Sequence, residues 1–151
     1  MKTRILMVCL GNICRSPLAE GILRSKISPE KAEIDSAGTA GYHIGETPDQ
    51  RSVAIARKNN IDISSLRGRK FGVSDFDRFD HIYVMDRSNY DNVIEMARHE
   101  GDREKVALIL NLSNPGSNTE VPDPYYGGAE GFSDVYRMLD KACDVLAASI
   151  G

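Results

Sequence analysis

Apolar positions along the chain change period several times, and each change marks an element. Ile5-Leu6-Met7-Val8 is an unbroken apolar run ending at the turn signal Gly11-Asn12, the pattern of a strand buried on both faces. It predicts a strand from about Thr3 to Val8. Period 3.6 then takes over, with Leu18, Ile22 and Leu23 on one face of a helix from about Pro17 to Lys26. Ser16 reads as its N-cap and Pro17 as its first residue, where a missing N–H costs nothing. Ser28-Pro29-Glu30 breaks the helix, and a second strand is expected from about Ala32 to Ser36.

A glycine-rich loop, Gly38 to Gly45, carries Tyr42 and His43. Thr47, Pro48 and Gln50 have the spacing of a capping box for a second helix, with Val53, Ala54 and Ala56 as its apolar side and Asn59-Asn60 as its stop. Ile61 to Val73 is irregular and basic, through Arg67, Arg69 and Lys70, and reads as a solvated face. Asp80–Met85 predicts a third strand, Ser88 caps a helix reaching about Ala97, and Lys105–Leu110 predicts a fourth strand. Asn111 to Gly131 is a long loop rich in Pro, Gly, Ser and Asn, a length that in a compact domain points to disorder or function. Val135, Met138, Leu139, Ala142, Val145 and Leu146 then mark a last helix from about Phe132 to Ile150, with Cys143 as a small core residue.

Strands alternating with helices imply right-handed crossovers and an α/β fold of three layers, a parallel sheet with helices on both faces. Four strands in the order 2-1-3-4 place strand one centrally, and ligands in such sheets bind beyond the carboxyl ends of the strands. Cys9 stands at that end. The length of 151 residues suits a single domain, taken as 1–151.

Composition narrows the partners. Charged residues make up 27% and hydrophobic ones 41%, ordinary for a globular protein, and no apolar run approaches the ~18 residues of a membrane span. Met1-Lys2-Thr3-Arg4 leads into a strand without a cleavage site, so no signal peptide is expected. A net charge of −3 with no basic block argues against nucleic acid as partner and leaves room for one local positive pocket. Three cysteines imply a reducing compartment, by default the cytoplasm. Cys9, Cys14, Cys143, His43, His81 and His99 lack the paired spacing of a metal site, and nucleotide-binding glycine motifs are missing, so neither metal nor cofactor is expected.

The chemistry concentrates in Cys9-Leu10-Gly11-Asn12-Ile13-Cys14-Arg15-Ser16, a strand-to-helix loop whose amides and helix dipole favour an anion. Cys9 faces that positive nest, where amides, helix dipole and Arg15 would all favour a thiolate. Arg15 offers a planar fork for two phosphoryl oxygens, and Ser16 can donate its hydroxyl to the sulfur. A thiolate facing a bound phosphate points to attack on phosphorus and a phosphocysteine intermediate. The leaving oxygen then needs a proton, which Arg15 cannot supply. The long loop offers Asp123, fixed between Pro122 and Pro124. Cys14 lies five residues from Cys9 in the same loop, close enough for a disulfide after a modest backbone shift.

The pattern Cys-x5-Arg-Ser resembles the signature of the low-molecular-weight protein tyrosine phosphatases. The resemblance extends over nearly the whole chain, through Asp35-Ser36-Ala37-Gly38, Met85-Asp86-Arg87-Ser88-Asn89 and Asp123-Pro124-Tyr125-Tyr126. It implies a phosphatase I-like fold and hydrolysis of phosphotyrosine in proteins, with phosphate or vanadate as inhibitors. It assigns Cys9 as nucleophile, Arg15 as transition-state stabiliser and Asp123 as general acid. It makes Leu10, Gly11, Asn12, Ile13, Cys14 and Ser16 the rest of the phosphate loop, and Ile13, Tyr42 and Tyr125 the walls of the substrate pocket. It implies that an Asn12–Ser36 hydrogen bond supports the loop and that Cys14 is a redox partner of Cys9, and it leaves open whether Tyr125 or Tyr126 is phosphorylated. One departure stands out: the family often carries a histidine where this chain has Ser64-Ser65-Leu66-Arg67. Arsenate reductases and protein-arginine phosphatases share the loop. The first need two further cysteines in a mobile segment, and the second favour a small polar residue where Ile13 stands. A silent phosphotyrosine-binding module is the reading from outside enzymology.

Overall fold

The computed structural model describes residues 2–125 and 128–150. Four parallel strands, β1 (Thr3–Cys9), β2 (Ala32–Gly38), β3 (His81–Val84) and β4 (Val106–Leu108), form one sheet in the order β2-β1-β3-β4, as the alternation of elements predicts. The central β1 pairs with β2 along its whole length, from Thr3 opposite Ala32 to Cys9 opposite Gly38.

The unbroken apolar run of β1 has the cause expected of a parallel strand: both faces are covered. Ile5, Met7 and Cys9 pack with α1 (Arg15–Lys26) and α6 (Ala129–Ile150), while Leu6 and Val8 face Phe71, Phe76, Phe79 and Val93 on the other side. Val93 belongs to α4 (Arg87–Glu95), and Phe76 to a single turn, α3 (Asp75–Arg78). The second helix, α2 (Gln50–Lys58), lies against α1 and α6 on the first face, and α5 (Glu100–Glu104) precedes β4.

Several local expectations are corrected. Ser16 does not cap α1, whose N-cap is Cys14 without a side-chain bond, because the Ser16 hydroxyl is engaged within the loop. Thr47 does not cap α2 either. Asp49 does, accepting from Arg51 N at 2.9 Å, since the Asp49 amide is tied back to Ile13 O and holds residues 46–49 extended. Asp86 rather than Ser88 caps α4, in a reciprocal box with Asn89. On α2 the inward side is Ser52 and Ala56, with Ala54 exposed; on α6, Val145 lies off the stripe Val135, Leu139, Ala142, Cys143 and Leu146. β4 ends at Leu108, where the chain tightens into a 3-10 turn (Ile109–Asn111). No helix among the described residues is long and apolar enough to cross a membrane.

Candidate active site

The loop between β1 and α1 is shaped by hydrogen bonds from its surroundings to its carbonyls. Thr39 N donates to Cys9 O, Ala40 N to Leu10 O, Asp49 N to Ile13 O and Ser52 Oγ to Cys14 O, at 2.8–3.1 Å. No backbone carbonyl among the described residues accepts from the amides of Gly11, Asn12, Ile13 or Cys14. Carbonyls bonded outward and amides left open make an anion cradle at the head of α1.

Asn12 sits in the left-handed region with φ 59°, where asparagine is tolerated better than most side chains. Its amide nitrogen donates to Ser16 Oγ at 2.8 Å and Ser36 Oγ at 3.0 Å, and its oxygen accepts from Arg69 N at 3.0 Å. Ser36 in turn donates to Glu20 Oε1 at 2.7 Å. The Asn12–Ser36 bond expected from the sequence is present. Support from the basic stretch is not what the sequence suggested: Arg69 is no solvated charge but bridges Asp35 and buried Asp75, which fixes the amide that Asn12 uses. Leu66 packs partly buried against the core, where the family often has histidine.

Gly38 closes the back of the cradle. A Cβ there would lie 2.8 Å from Leu10 O and 3.0 Å from Gly11 C, so only glycine lets β2 approach the loop this closely.

Cys9 Sγ and Ser16 Oγ are 3.0 Å apart. Because Ser16 Oγ already accepts from Asn12, its own hydrogen is available to the sulfur. Arg15 is 2% exposed, and its Nη1 donates to Asp86 Oδ2 at 2.7 Å and Val121 O at 2.9 Å. Burial works against its charge, but the Cys9 sulfur, Asp86 and Asp123 outweigh that and hold the guanidinium more firmly protonated than usual. Its Nη2 lies 3.7 Å from Asp123 Oδ2. Asp123 is oriented locally, accepting from Tyr125 N at 3.0 Å in an Asx turn between the two prolines.

Cys9, Leu10, Gly11, Ile13, Cys14, Arg15, Tyr42, Asp123 and Tyr125 all line one cleft at the carboxyl end of β1. Asn12, Ser16 and Ser36 stand behind it. Tyr42 is 76% exposed and Tyr125 38%, and both line the cleft. Tyr126 lies outside the described residues. Cys14 is buried, and burial together with Asp49, Cys9 and Asp123 pushes its thiol up to about 12.

Sequence reasoning missed His43, Asp86, Asp49 and Arg51. His43 shares the cleft and pairs with Glu46 at 3.0 Å. Asp86 lay within a quoted motif, and an acidic residue just after a strand was the available signal. Among the described residues, no group of three or more His, Cys, Asp or Glu side chains is placed to hold a metal ion.

The sequence model of the family described as low molecular weight phosphotyrosine protein phosphatase matches residues 4–151. A protein of that name from Schizosaccharomyces pombe is 44% identical over 141 residues, covering 90% of this chain and 89% of its own. A protein tyrosine phosphatase crystal structure from Entamoeba histolytica, with Hepes in the active site, superposes with a TM-score of 0.91 at 38% identity, covering 98% of this chain and 96% of its own. YfkJ from Bacillus subtilis gives 0.90 at 34% identity, covering 99% and 95%. The chain belongs to the low molecular weight phosphotyrosine protein phosphatase family.

Proposed function

We propose that this protein hydrolyses phosphotyrosine and other aryl phosphate monoesters through a phosphocysteine intermediate, residues 1–151 acting as one catalytic domain. The observation that carries the reading is the meeting of Cys9, Arg15 and Asp123 at a cradle of open amides. The Cys9 thiolate attacks phosphorus, the S–P bond forms, and the O–P bond breaks as Asp123 gives its proton to the leaving phenoxide. The Asp123 carboxylate then takes a proton from water, whose oxygen attacks phosphorus and expels the thiolate. Ser16 stabilises that sulfur at both ends of the cycle. With Nη1 fixed by Asp86 and Val121, the rest of the Arg15 guanidinium is turned to the equatorial oxygens, where charge develops.

The cleft supports a flat ring. Ile13, 8% exposed, gives an apolar wall, and Tyr42 and Tyr125 line the same cleft, which suits phosphotyrosine better than a flexible phosphoarginine. An arsenate relay lacks thiols: the third cysteine, Cys143, is buried in α6 with its sulfur 3.9 Å from Ala19 O. The proposal extends to Cys14, which shares the cleft with Cys9, as the thiol that captures oxidised Cys9. Inorganic phosphate and vanadate are the expected competitive inhibitors, and phosphotyrosine-bearing proteins the substrates.

Turnover of p-nitrophenyl phosphate and phosphotyrosine tests the reading. Wild type is expected to be active with EDTA present, and Cys9→Ser to be inactive while still binding vanadate. Full activity in Cys9→Ser, or a silent wild type, overturns it.

A further inference from the structure

Arg51 sits at the start of α2, outside the phosphate loop and the acid loop, yet it contacts both neighbourhoods. Its Nε donates to Asp49 Oδ1 at 3.0 Å and its Nη2 to Asp49 Oδ2 at 3.0 Å, a bidentate pair of fixed geometry. The same Nη2 donates to Tyr125 O at 2.9 Å. The guanidinium also lies over the Phe132 ring, 4.5 Å from its centroid, and 5.6 Å from that of Tyr125. Asp49 is anchored to the phosphate loop through its amide on Ile13 O, at 2.8 Å. Tyr125 is anchored to the acid through its amide on Asp123 Oδ1, at 3.0 Å.

A continuous series of bonds therefore runs from the phosphate loop through Asp49, Arg51 and Tyr125 to the Asp123 carboxylate. We propose that Arg51 is the positioning residue that holds the general-acid loop in register with the phosphate loop. The inference rests on Asp123 being the general acid. Without Arg51, residues 122–125 keep their proline stiffness and the contact of Asp123 with Arg15 but lose the hydrogen bond that fixes the Tyr125 carbonyl to α2. Proton delivery needs the acid within hydrogen-bond reach of the leaving oxygen, so looseness there slows the step that depends on it. The nucleophile and its cradle keep every bond of their own.

A planar fork is what the site uses. Lysine has one ammonium and can serve Asp49 or the Tyr125 carbonyl, without the stacking over Phe132. Methionine fills the space over Phe132 and makes neither bond.

The experiment compares phosphotyrosine, whose leaving group needs protonation, with p-nitrophenyl phosphate, whose leaving group needs it less. Arg51→Met is expected to lower kcat/KM, which covers the leaving-group step and not the hydrolysis common to both esters, about tenfold for phosphotyrosine, part of the ~10²–10⁴-fold of general-acid catalysis, and by less than about threefold for p-nitrophenyl phosphate. Inhibition by inorganic phosphate is expected to be unchanged, which also reports that the variant is folded. Arg51→Lys falls between. Added to Asp123→Asn, Arg51→Met is expected to cost nothing further, because both remove the same proton transfer. Equal losses of kcat/KM on both esters, weakened phosphate inhibition, or additive losses in the double variant overturn the role of Arg51 and leave the phosphatase reading standing. A wild type inert towards both esters, or an Asp123→Asn variant whose kcat/KM falls equally on both, overturns the acid assignment and this inference with it.

Discussion

Arg15 Nη1 stands 2.7 Å from Asp86 Oδ2, across 71 residues of sequence, and this contact aims the guanidinium. Asp86 works twice: Oδ2 holds Arg15, and Oδ1 accepts from Asn89 N at 2.8 Å to cap α4. One carboxylate therefore fixes both a helix start and the orientation of the Arg15 guanidinium.

Removing Asp86 takes from a buried cation its nearest countercharge. Asp86→Ala is expected to cost about 3 kcal/mol of stability, within the range for breaking one side of a buried pair. Asp86→Asn keeps the shape and one of the two acceptors, with an NH2 donor in place of the other, and is expected to lose less than Asp86→Ala. Urea unfolding gives the stabilities, and kcat on an aryl phosphate reports the guanidinium, with Asp86→Ala the slower enzyme. Equal stability in Asp86→Ala and wild type overturns the assignment.

What the sequence disclosed divides by range. Strand order, the buried run of β1 and the stripe of α6 follow from periodicity and from the rule that parallel strands need crossovers, so they were legible. Cys9 and Arg15 were legible as candidates from their place in a loop after a strand, and Asp123 from the resemblance of its loop; the structure brings the three to one cleft. Arg69, Asp86 and Arg51 were not legible. Their roles depend on partners 57, 71 and 74 residues away, and nothing in local pattern distinguishes them from solvated charges. Two of the capping errors share one cause: hydroxyls at Thr47 and Ser88 match the local signature, but side chains placed by tertiary contacts, Asp49 and Asp86, do the capping, whereas at α1 the Ser16 hydroxyl is drawn into the loop and no side chain caps the helix. The single turns α3 and α5, of four and five residues, are too short to show a period.

Gly38 gives a prediction with a purely steric cause. In Gly38→Ala the new methyl meets Leu10 O, Gly11 C and Asn12 N, all backbone, at 2.8–3.1 Å, so β2 or the cradle must move. A cost of about 1–3 kcal/mol is expected, together with weaker inhibition by phosphate because the amides shift. Unaltered phosphate inhibition would show that the strand, not the cradle, gives way.

Thiol alkylation separates the three cysteines. Cys14 and Cys143 are both pushed up to about 12, chiefly by burial, so only roughly one in 10⁵ of either is thiolate at pH 7. Cys9 is buried too, and differs in facing Arg15 and the Ser16 hydroxyl at the cleft. Iodoacetamide at pH 7 is expected to modify Cys9 alone, with phosphate protecting, and to reach the other two only in denaturant. Peptide mapping reads the outcome, and early modification of Cys14 contradicts the burial argument.

The raised pKa of Cys14 also bears on its proposed redox role. Peroxide converts the Cys9 thiolate to sulfenic acid and is itself reduced to water. Cys14 then attacks the Cys9 sulfur, the S–S bond forms, the Cys14 proton joins the departing hydroxyl, and water leaves. A thiol near pKa 12 is a poor nucleophile, but part of that rise comes from the charge on Cys9. Oxidation to a neutral sulfenic acid removes that charge, so Cys14 becomes easier to ionise at the moment it is needed. Brief peroxide treatment is therefore expected to inactivate wild type and Cys14→Ser alike. A thiol reductant is expected to restore most activity to wild type and little to Cys14→Ser, where Cys9 proceeds to sulfinic acid. Mass spectrometry of the treated wild type is expected to show a Cys9–Cys14 peptide two hydrogens lighter than the dithiol. If both proteins recover equally, Cys14 serves only to pack beneath the loop.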